Sequence, residues 1–363
     1  MLVLLFGFAL SSATTFFLIR FAHAHAHLTG DVDMSGPQKF HAKPVPRIGG
    51  LGIVVGLAGG LIWLWFLHGE QAFVGLTLLA CAAPTFLARL AEDLTKTQSP
   101  RRRLFFTAVS AALAAWALGA VINRTDIPGL DWVVSFAIGA AVATVFAVAG
   151  VANAVNIIDG FNGLAAMCVV MMLAAIAYVS FQAHDPVIGF CALAGLGAVM
   201  GFFVWNFPAG LIFLGDGGAY FLGFYVAELS ILLLHRNPGV SPLCPLLMCI
   251  YPIFETLFSM YRRKFIRGRP VGMPDGVHLH SLVYRRLLRW AVGNKSAKVL
   301  TKRNSMTAPY LWLLCMLSVI PSIIFWDNSA VLGFFIVLFG VSYVFLYSRI
   351  VRFKVPEWLI VRQ

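Results

Sequence analysis

The chain alternates between long apolar runs and short polar clusters. Eleven of the apolar runs approach the length of about 20 residues that a helix needs to cross a bilayer. They cover residues 1–22, 49–68, 73–91, 104–122, 132–151, 163–182, 187–205, 213–234, 241–261, 309–326 and 329–348. The pattern predicts an all-α integral membrane protein, a polytopic bundle of about 11 transmembrane helices that forms a single domain over residues 1–363.

Composition agrees with this class of protein and excludes others. Hydrophobic residues make up 60% of the chain and charged residues 12%, whereas soluble domains average about 25% charged residues. All six cysteines lie in apolar runs, and no C-x-x-C pair occurs. The sequence therefore predicts neither a disulfide framework nor a zinc site.

The distribution of Lys and Arg predicts the orientation in the membrane. With the N-terminus outside and the C-terminus cytoplasmic, 23 of the 27 Lys and Arg lie in inside segments and only two lie in outside loops. The inside loops that form the predicted active face are 23–48, 92–103, 152–162, 206–212 and 262–308. The net charge of +12 then faces anionic headgroups, which predicts membrane lipids as partners and argues against nucleic acid.

Four polar clusters on this cytoplasmic side carry the candidate chemistry. They are residues 92–96, 153–163, 215–218 and 275–280. Scattered acids would indicate a solvated surface. Acids gathered at one face of an apolar bundle indicate a metal ion and a phosphate-bearing substrate.

The first two clusters place acids and amides where helices leave the membrane. Anionic lipid repels Glu92 and Asp93 at such a position, so a divalent cation or the proton of a nucleophile is expected to hold them there. In the second cluster, polar side chains recur every three residues and wind along one side of a helical turn. These are Asn153, Asn156, Asp159 and Asn162.

The other two clusters add a candidate metal ligand and two histidines. Asp216 lies near the predicted start of a helix among glycines. It is expected to bind Mg²⁺, which takes one or two carboxylates plus substrate phosphates, while the glycines leave backbone N–H groups free for a phosphate. Asp275, His278 and His280 favour phosphate contact or acid–base chemistry over zinc, because His-x-His is short for two ligands on one helix face.

In this order, the motifs resemble those of the polyprenyl-phosphate N-acetylhexosamine-1-phosphate transferases, a glycosyltransferase family 4 type, from about residue 39 to residue 285. The matching pieces are Lys39-Phe40-His41, Pro46-Arg47-Ile48-Gly49-Gly50, Glu92-Asp93-x-x-Lys96, the run 153–164, Asn206 with Asp216, Phe213, and Asp275-x-x-His278-Leu279-His280. Three places depart from the family pattern. Glu92 and Asn162 each stand where the family has an Asp, and Gly218-Ala219 lacks the hydroxyl that the family carries after Gly-Asp.

The resemblance implies transfer of an N-acetylamino-sugar 1-phosphate from a UDP-sugar, by default UDP-N-acetylglucosamine, to undecaprenyl phosphate, with release of UMP. It places the protein in a bacterial plasma membrane, at the start of a surface glycan pathway such as O-antigen synthesis. It also implies Mg²⁺, or Mn²⁺ in its place, with Asp216 and Asp93 as ligands. Asp93, helped by Glu92, would deprotonate or position the lipid phosphate.

The resemblance also implies a set of substrate-binding residues. They are Lys39, His41, Lys96, Asn153, Asn156, Asp159, Asn162, Asn206, Phe213, Arg269, Asp275, His278 and His280. The choice between direct transfer and a covalent aspartyl route stays open. A homodimer is a further candidate, because dimers are common in the family.

Two other interpretations compete with this one. A secondary membrane transporter with a polar cytoplasmic vestibule would place its polar site near the bilayer midplane, and only Glu228 fits that position. A catalytically inactive, partner-binding relative is the third interpretation, since Glu92 and Asn162 depart from the family pattern. Among donors, a muramyl-pentapeptide is disfavoured because that branch carries a run of three histidines.

Overall fold

The computed structural model describes residues 1–23, 45–95, 100–268, 270, 275–288 and 296–353, and these ranges contain no β-strand. The helices are α1 (Leu2–Arg20), α2 (Gly49–Cys81), α3 (Ala83–Thr95), α4 (Pro100–Leu118), α5 (Leu130–Val134), α6 (Ala137–Ile158), α7 (Leu164–Gln182), α8 (Pro186–Asn206), α9 (Gly215–Arg236), α10 (Leu243–Met248), α11 (Ile250–Tyr261), α12 (Leu279–Leu282), α13 (Ala297–Ser305), α14 (Ala308–Ile324) and α15 (Ser329–Val351). Short π-helical turns, Arg262–Ile266 and Val283–Leu287, follow α11 and α12.

Eight helical spans within the described ranges are long and apolar enough to cross a membrane. The predicted class, an all-α polytopic membrane protein, is therefore confirmed, while the count of eleven spans and the orientation stay predictions. Several boundaries differ from the prediction; the run 241–261, for example, divides into α10 and α11. The runs 49–68 and 73–91 were expected to form separate helices, but α2 continues to Cys81 and bends at His68. The polar break between the runs contains Gly69 and no proline, so it kinks the helix without ending it.

Helix α9 lies at the centre of the bundle, where α2, α3, α6 and α7 pack around it. Small residues allow these helices to approach closely. A Cβ atom added at Gly223 would lie 2.5 Å from the Cα atom of Ala152 in α6. The start of α9, which carries Asp216, is packed as closely, because a Cβ atom added at Gly50 in the first turn of α2 would lie 2.6 Å from the Cα atom of Gly218.

A second group of helices flanks this centre and supports the histidine loop. Helix α11 packs against α6, α14 and α15. The chain leaves α11 through the π-helical turn Arg262–Ile266 and returns at Asp275 to enter α12. Since α12 also contacts α15, the loop is fastened to the last helix of the chain.

Candidate active site

Three aspartates from distant segments converge at one end of the bundle. Asp93 lies in the last turn of α3, Asp159 caps the C-terminus of α6, and Asp216 lies in the first turn of α9. The side-chain amide of Asn156 donates a hydrogen bond to Asp216 over 3.1 Å. The polar clusters that the sequence places on one face therefore form one site.

Asp93 fastens α3 to the beginning of α9. Its two carboxylate oxygens accept hydrogen bonds from the backbone N–H groups of Asp216, over 3.0 Å, and Gly217, over 2.8 Å. The preceding Gly215 has φ +77°, and a Cβ atom there would lie 2.0 Å from the carbonyl oxygen of Arg47. The prediction that these backbone N–H groups are free for a phosphate is wrong for Asp216 and Gly217, because an internal carboxylate takes them.

The carboxylates perturb one another. Burial, together with the charge of Asp216, raises the pKa of Asp93 to about 7. Burial also raises the pKa of Asp159 to about 7. The charge of Arg47 acts to lower this pKa, whereas the charges of Asp216 and Asp93 act to raise it. Acids that titrate near neutral pH suit proton transfer, and crowded carboxylates suit cation binding.

Two arginines approach Asp216 from either side. Arg47 lies 3.7 Å from one carboxylate oxygen of Asp216 and Arg103 lies 3.7 Å from the other. The side chains of Arg47 and Arg103 are about one-third exposed, so both remain within reach of a ligand. Guanidinium groups favour phosphate oxygens, to which they can donate paired hydrogen bonds.

Glu92 belongs to this arginine system and lies apart from the aspartate cluster. Its carboxylate pairs with Arg89 over 2.8 Å and with Arg103. The buried guanidinium of Arg89 lies 3.6 Å from the ring centre of Tyr220, whose hydroxyl donates to Asn153 over 2.8 Å. Because Glu reaches one methylene further than Asp, it can bridge two arginines here. The role of Glu92 as a helper of Asp93 stays a prediction.

Asn206 forms hydrogen bonds to two turns of the site, one at Gly163 and one at Ile212. Its side-chain oxygen accepts from the backbone N–H of Gly163 over 2.6 Å, and its amide donates to the carbonyl of Ile212 over 2.7 Å. Gly163, with φ +73°, starts α7 directly after the turn that carries Asp159. The side chain is buried, so a direct contact between Asn206 and a nucleotide stays a prediction.

Asn162 is held by α13, a helix that the family motifs do not include. Its backbone N–H donates to the side-chain oxygen of Asn304 over 2.9 Å, and its side-chain amide donates to the Ser305 hydroxyl over 3.1 Å. This arrangement accounts for the departure from the family pattern, because an Asp at position 162 would lack the N–H that Ser305 accepts.

A cavity of about 780 Å³ lies between α13 and the loop that precedes α9. Its lining includes Phe213 and Asn162, and also Lys298 and Lys302, which are exposed and one helical turn apart. Its volume falls in the range of about 300–1,000 Å³ that is typical of small-molecule sites. A cavity lined by an aromatic ring and two positive charges suits a nucleotide.

The histidine loop closes another side of the site. His278 and His280 are buried, and their rings stack with centroids 5.1 Å apart. A Cβ atom on Gly160, next to Asp159, would lie 3.2 Å from Nε2 of His280. Burial, and the neighbouring His278, lower the pKa of His280 to about 3, so this ring is neutral at physiological pH. Its placement supports contact with a ligand at Asp159 more than a cationic role.

Asp275, in the same loop, is buried and paired with Arg262. It also accepts a hydrogen bond from the Ser259 hydroxyl over 2.8 Å. Burial acts to raise the pKa of this carboxyl, but the charges of Arg262 and His278 and the hydrogen bonds from Ser259 and Val277 together outweigh it and hold the pKa below the ordinary value. Within the protein, Asp275 anchors the loop, and its contact with substrate stays a prediction.

Four predicted substrate-binding residues fall outside the described ranges. They are Lys39, His41, Lys96 and Arg269. Other residues that hold the site were not singled out from the sequence as site residues. They are Arg47, Arg89, Arg103, Tyr220, Glu255 and Tyr343. The signal for Glu255 was present, because an acid inside an apolar run marks a functional candidate.

The fold and the site together define a class of protein: an all-α polytopic membrane protein whose carboxylates and arginines meet at one end of the bundle. A family model described as glycosyl transferase family 4 matches residues 75–234, which include Asp93, Asp159 and Asp216. This match supports the family that the sequence motifs predicted.

Individual relatives agree with this assignment. A Thermotoga maritima undecaprenyl-phosphate alpha-N-acetylglucosaminyl 1-phosphate transferase is 29% identical, over 76% of this chain and 80% of its own length. A Bacillus subtilis protein named as a probable undecaprenyl-phosphate N-acetylglucosaminyl 1-phosphate transferase is 25% identical, over 77% of each chain. A Lactobacillus johnsonii phospho-N-acetylmuramoyl-pentapeptide-transferase is 35% identical, but over only 24% of this chain and 26% of its own.

Proposed function

We propose that this protein transfers an N-acetylamino-sugar 1-phosphate from a UDP-sugar, with UDP-N-acetylglucosamine as the preferred donor, to undecaprenyl phosphate and releases UMP. The observation that carries the proposal is the convergence of Asp93, Asp159 and Asp216 beside Arg47 and Arg103. The names of two relatives that match most of the chain support the acceptor and the transferred group. We place the reaction at the cytoplasmic face of the bacterial plasma membrane, as the first step of a surface glycan pathway.

The reaction demands positive charge, because one phosphate must attack another. Two unit charges about 4 Å apart repel by roughly 4 kcal/mol at an effective dielectric near 20. Unopposed, this repulsion would slow the reaction by about three powers of ten. The guanidinium groups of Arg47 and Arg103 are the described side chains best placed to oppose it.

Magnesium fits the residues at this site. Burial is the largest cause of the raised pKa of Asp93 and of Asp159, and the charge of Asp216 adds to both shifts. A cation bound at Asp216 would relieve this repulsion. Among the described residues, no three His, Cys, Asp or Glu side chains form a ready-made metal cage. Asp216 would hold the ion, with Asp93 beside it and donor phosphate oxygens completing the coordination. When bound, Mg²⁺ would withdraw negative charge from the donor diphosphate.

In the proposed reaction, an oxygen of the lipid phosphate attacks the phosphorus atom that bears the sugar. The bond from that phosphorus to the bridging oxygen breaks, and UMP leaves with the bridging oxygen. Asp93 accepts the proton of the lipid phosphate, which suits a group whose pKa is about 7. Both Asp93 oxygens already accept backbone N–H bonds, which favours direct transfer over a covalent route through Asp93.

The cavity beside Phe213 is the proposed place of the uridine. The ring of Phe213 offers a face on which a base can stack, a contact of about 1–3 kcal/mol. Lys298 and Lys302, which line the same cavity, add positive charge for the phosphates of the donor. The sugar would then extend toward the histidine loop and Asp159.

The test is UMP release by the purified protein in detergent with Mg²⁺, undecaprenyl phosphate and a panel of UDP-amino sugars. We expect release with UDP-N-acetylglucosamine, its loss in Asp93→Asn and Asp216→Asn, and its loss on chelation of Mg²⁺. Asp327→Asn changes an exposed acid in the short link between α14 and α15 and serves as the matched control. Near-normal turnover in both active-site variants would refute the residue roles. No UMP release from any donor would favour the transporter alternative.

A further inference from the structure

Glu255 in α11 forms the centre of a buried hydrogen-bond network under the histidine loop. One carboxylate oxygen bonds to Nδ1 of His278 over 2.8 Å and accepts from the backbone N–H of Leu279 over 3.2 Å. The other oxygen accepts from the hydroxyl of Tyr343 over 2.6 Å. Glu255 and Tyr343 are fully buried, at 0% exposure. Three convergent donors leave this carboxylate a single orientation.

This network fixes the His278 ring. A carboxylate only accepts hydrogen bonds, so the bond to Glu255 places a proton on Nδ1 of His278. The ring plane is thereby set, and the His280 ring stacks on it at an interplanar angle of 14°. His280 in turn meets the ring of Phe161 edge to face, with centroids 5.6 Å apart. The contacts lead from α15 to the turn that carries Asp159.

A second set of contacts holds the same loop to the same helix. Arg262 pairs with Asp275 and donates to the Tyr347 hydroxyl over 2.8 Å. Tyr347 also donates to the carbonyl of Val277 over 3.2 Å. Tyr343 and Tyr347 lie one turn apart on α15, so the last helix holds the loop on both sides of His278.

We propose that Glu255 and Tyr343 are positioning residues for the transfer reaction and act through His278 to hold His280 against the Asp159 turn. The expected effect on kinetics rests on the proposed function, whereas the anchoring of the loop by Glu255 and Tyr343 is independent of it. It gives the last helix, which lies outside the segment matched by the family model, a role in catalysis.

The kinetic test is a double-mutant cycle in the UMP-release assay. We expect Tyr343→Phe, which keeps the ring and removes one bond to a charged acceptor, to lower kcat by about tenfold, with a smaller change in KM for the UDP-sugar. Combined with His278→Ala, Tyr343→Phe is expected to cause little further loss, because it acts through His278. Tyr225→Phe removes a hydroxyl bond to the Cys191 carbonyl of 2.8 Å in the same bundle, and we expect it to leave kcat unchanged.

A second measurement examines the anchoring without activity. Glu255→Ala is expected to expose the loop to trypsin at Arg285 and Arg286, whereas Glu228→Gln, a change at another buried glutamate, is expected to leave cleavage at its native rate. The inference would be overturned if the losses in kcat of Tyr343→Phe and His278→Ala multiplied fully in the double variant. It would also be overturned if trypsin cleaved Glu255→Ala at the native rate. If the native protein released no UMP, the proposed function would fail, and the protease comparison would still decide the anchoring.

Discussion

Replacing Glu92 by Gln probes the arginine system at the site most directly. Glu92 is 7% exposed at its side chain and pairs with Arg89, which is 1% exposed, over 2.8 Å. Glu92→Gln keeps the shape and removes the charge, which leaves the Arg89 guanidinium buried without its partner. Breaking a buried ion pair in this way costs about 3–5 kcal/mol. In a chain of 363 residues this corresponds to a fall of about 5 °C in the unfolding midpoint.

The midpoint can be followed in detergent with a thiol-reactive dye, because all six cysteines are free and buried. We also expect UMP release to fall, since Arg103 loses the Glu92 carboxylate that holds it beside Asp216. Glu70→Gln, at an exposed position on α2, is the matched control and is expected to match the native midpoint.

Two further variants separate stability from activity. Glu92→Asp keeps the charge but shortens the side chain, so it is expected to retain one arginine contact and to lose part of the stability. Arg89→Met combined with Glu92→Gln removes both buried charges, so neither charge is left buried without its partner. This double variant is expected to regain thermal stability while UMP release stays low. A native midpoint and native turnover in Glu92→Gln would refute the reasoning.

Other variants and conditions test the remaining parts of the site. Because the pKa of Asp93 is raised from 3.8 to about 7, UMP release is expected to rise with pH toward 7 as the base ionises. The contribution of Asp93 to stability is expected to fall over the same window, since the folded state holds a proton that the unfolded state has released. Rate and unfolding profiles from about pH 5 to 8 that move in the same direction would contradict this. Asn162→Asp removes the N–H donated to Ser305 and buries a charge, so we expect a loss of about 1–3 kcal/mol, measured by thermal unfolding; an unchanged midpoint would oppose it. Lys298→Ala with Lys302→Ala is expected to raise KM for the UDP-sugar about tenfold with kcat unchanged in steady-state kinetics, and an unchanged KM would exclude them from donor binding.

The convergence of the three aspartates could be predicted from the sequence, because hydropathy and basic residues place their segments on one side of the membrane. Such a prediction uses the length and hydropathy of whole segments and the placement of Lys and Arg between them, and both patterns are pronounced in membrane proteins. It could not predict which groups each acid contacts. Asp93 meets the backbone of residues 123 and 124 positions further along the chain, and no local pattern encodes that distance.

The arginines and the buried glutamate show why other parts of the site could not be predicted. Arg103 lies in the first turn of a helix, where basic residues usually bind lipid headgroups. The sequence alone therefore offers no reason to predict that it contacts Glu92 and Asp216. Asn162 appeared as a departure from a motif until its partners on α13 were seen. Glu255 lies in an apolar run, and its importance depends on Tyr343, which is 88 residues away.

The hydrogen bonds between Asp93 and the first turn of α9 also make the geometry of the site depend on how α3 and α9 are tilted in the bilayer. Two helices, α3 and α9, are joined by the carboxylate of Asp93, which is also the base in the proposed reaction. A thinner or thicker bilayer changes the tilt of such helices at a modest energetic cost. Even a small relative tilt would alter the geometry of Asp93 before it disturbed the packing deeper in the bundle. If Asp93 is the base of the proposed reaction, turnover is expected to vary with the thickness of the bilayer around the protein.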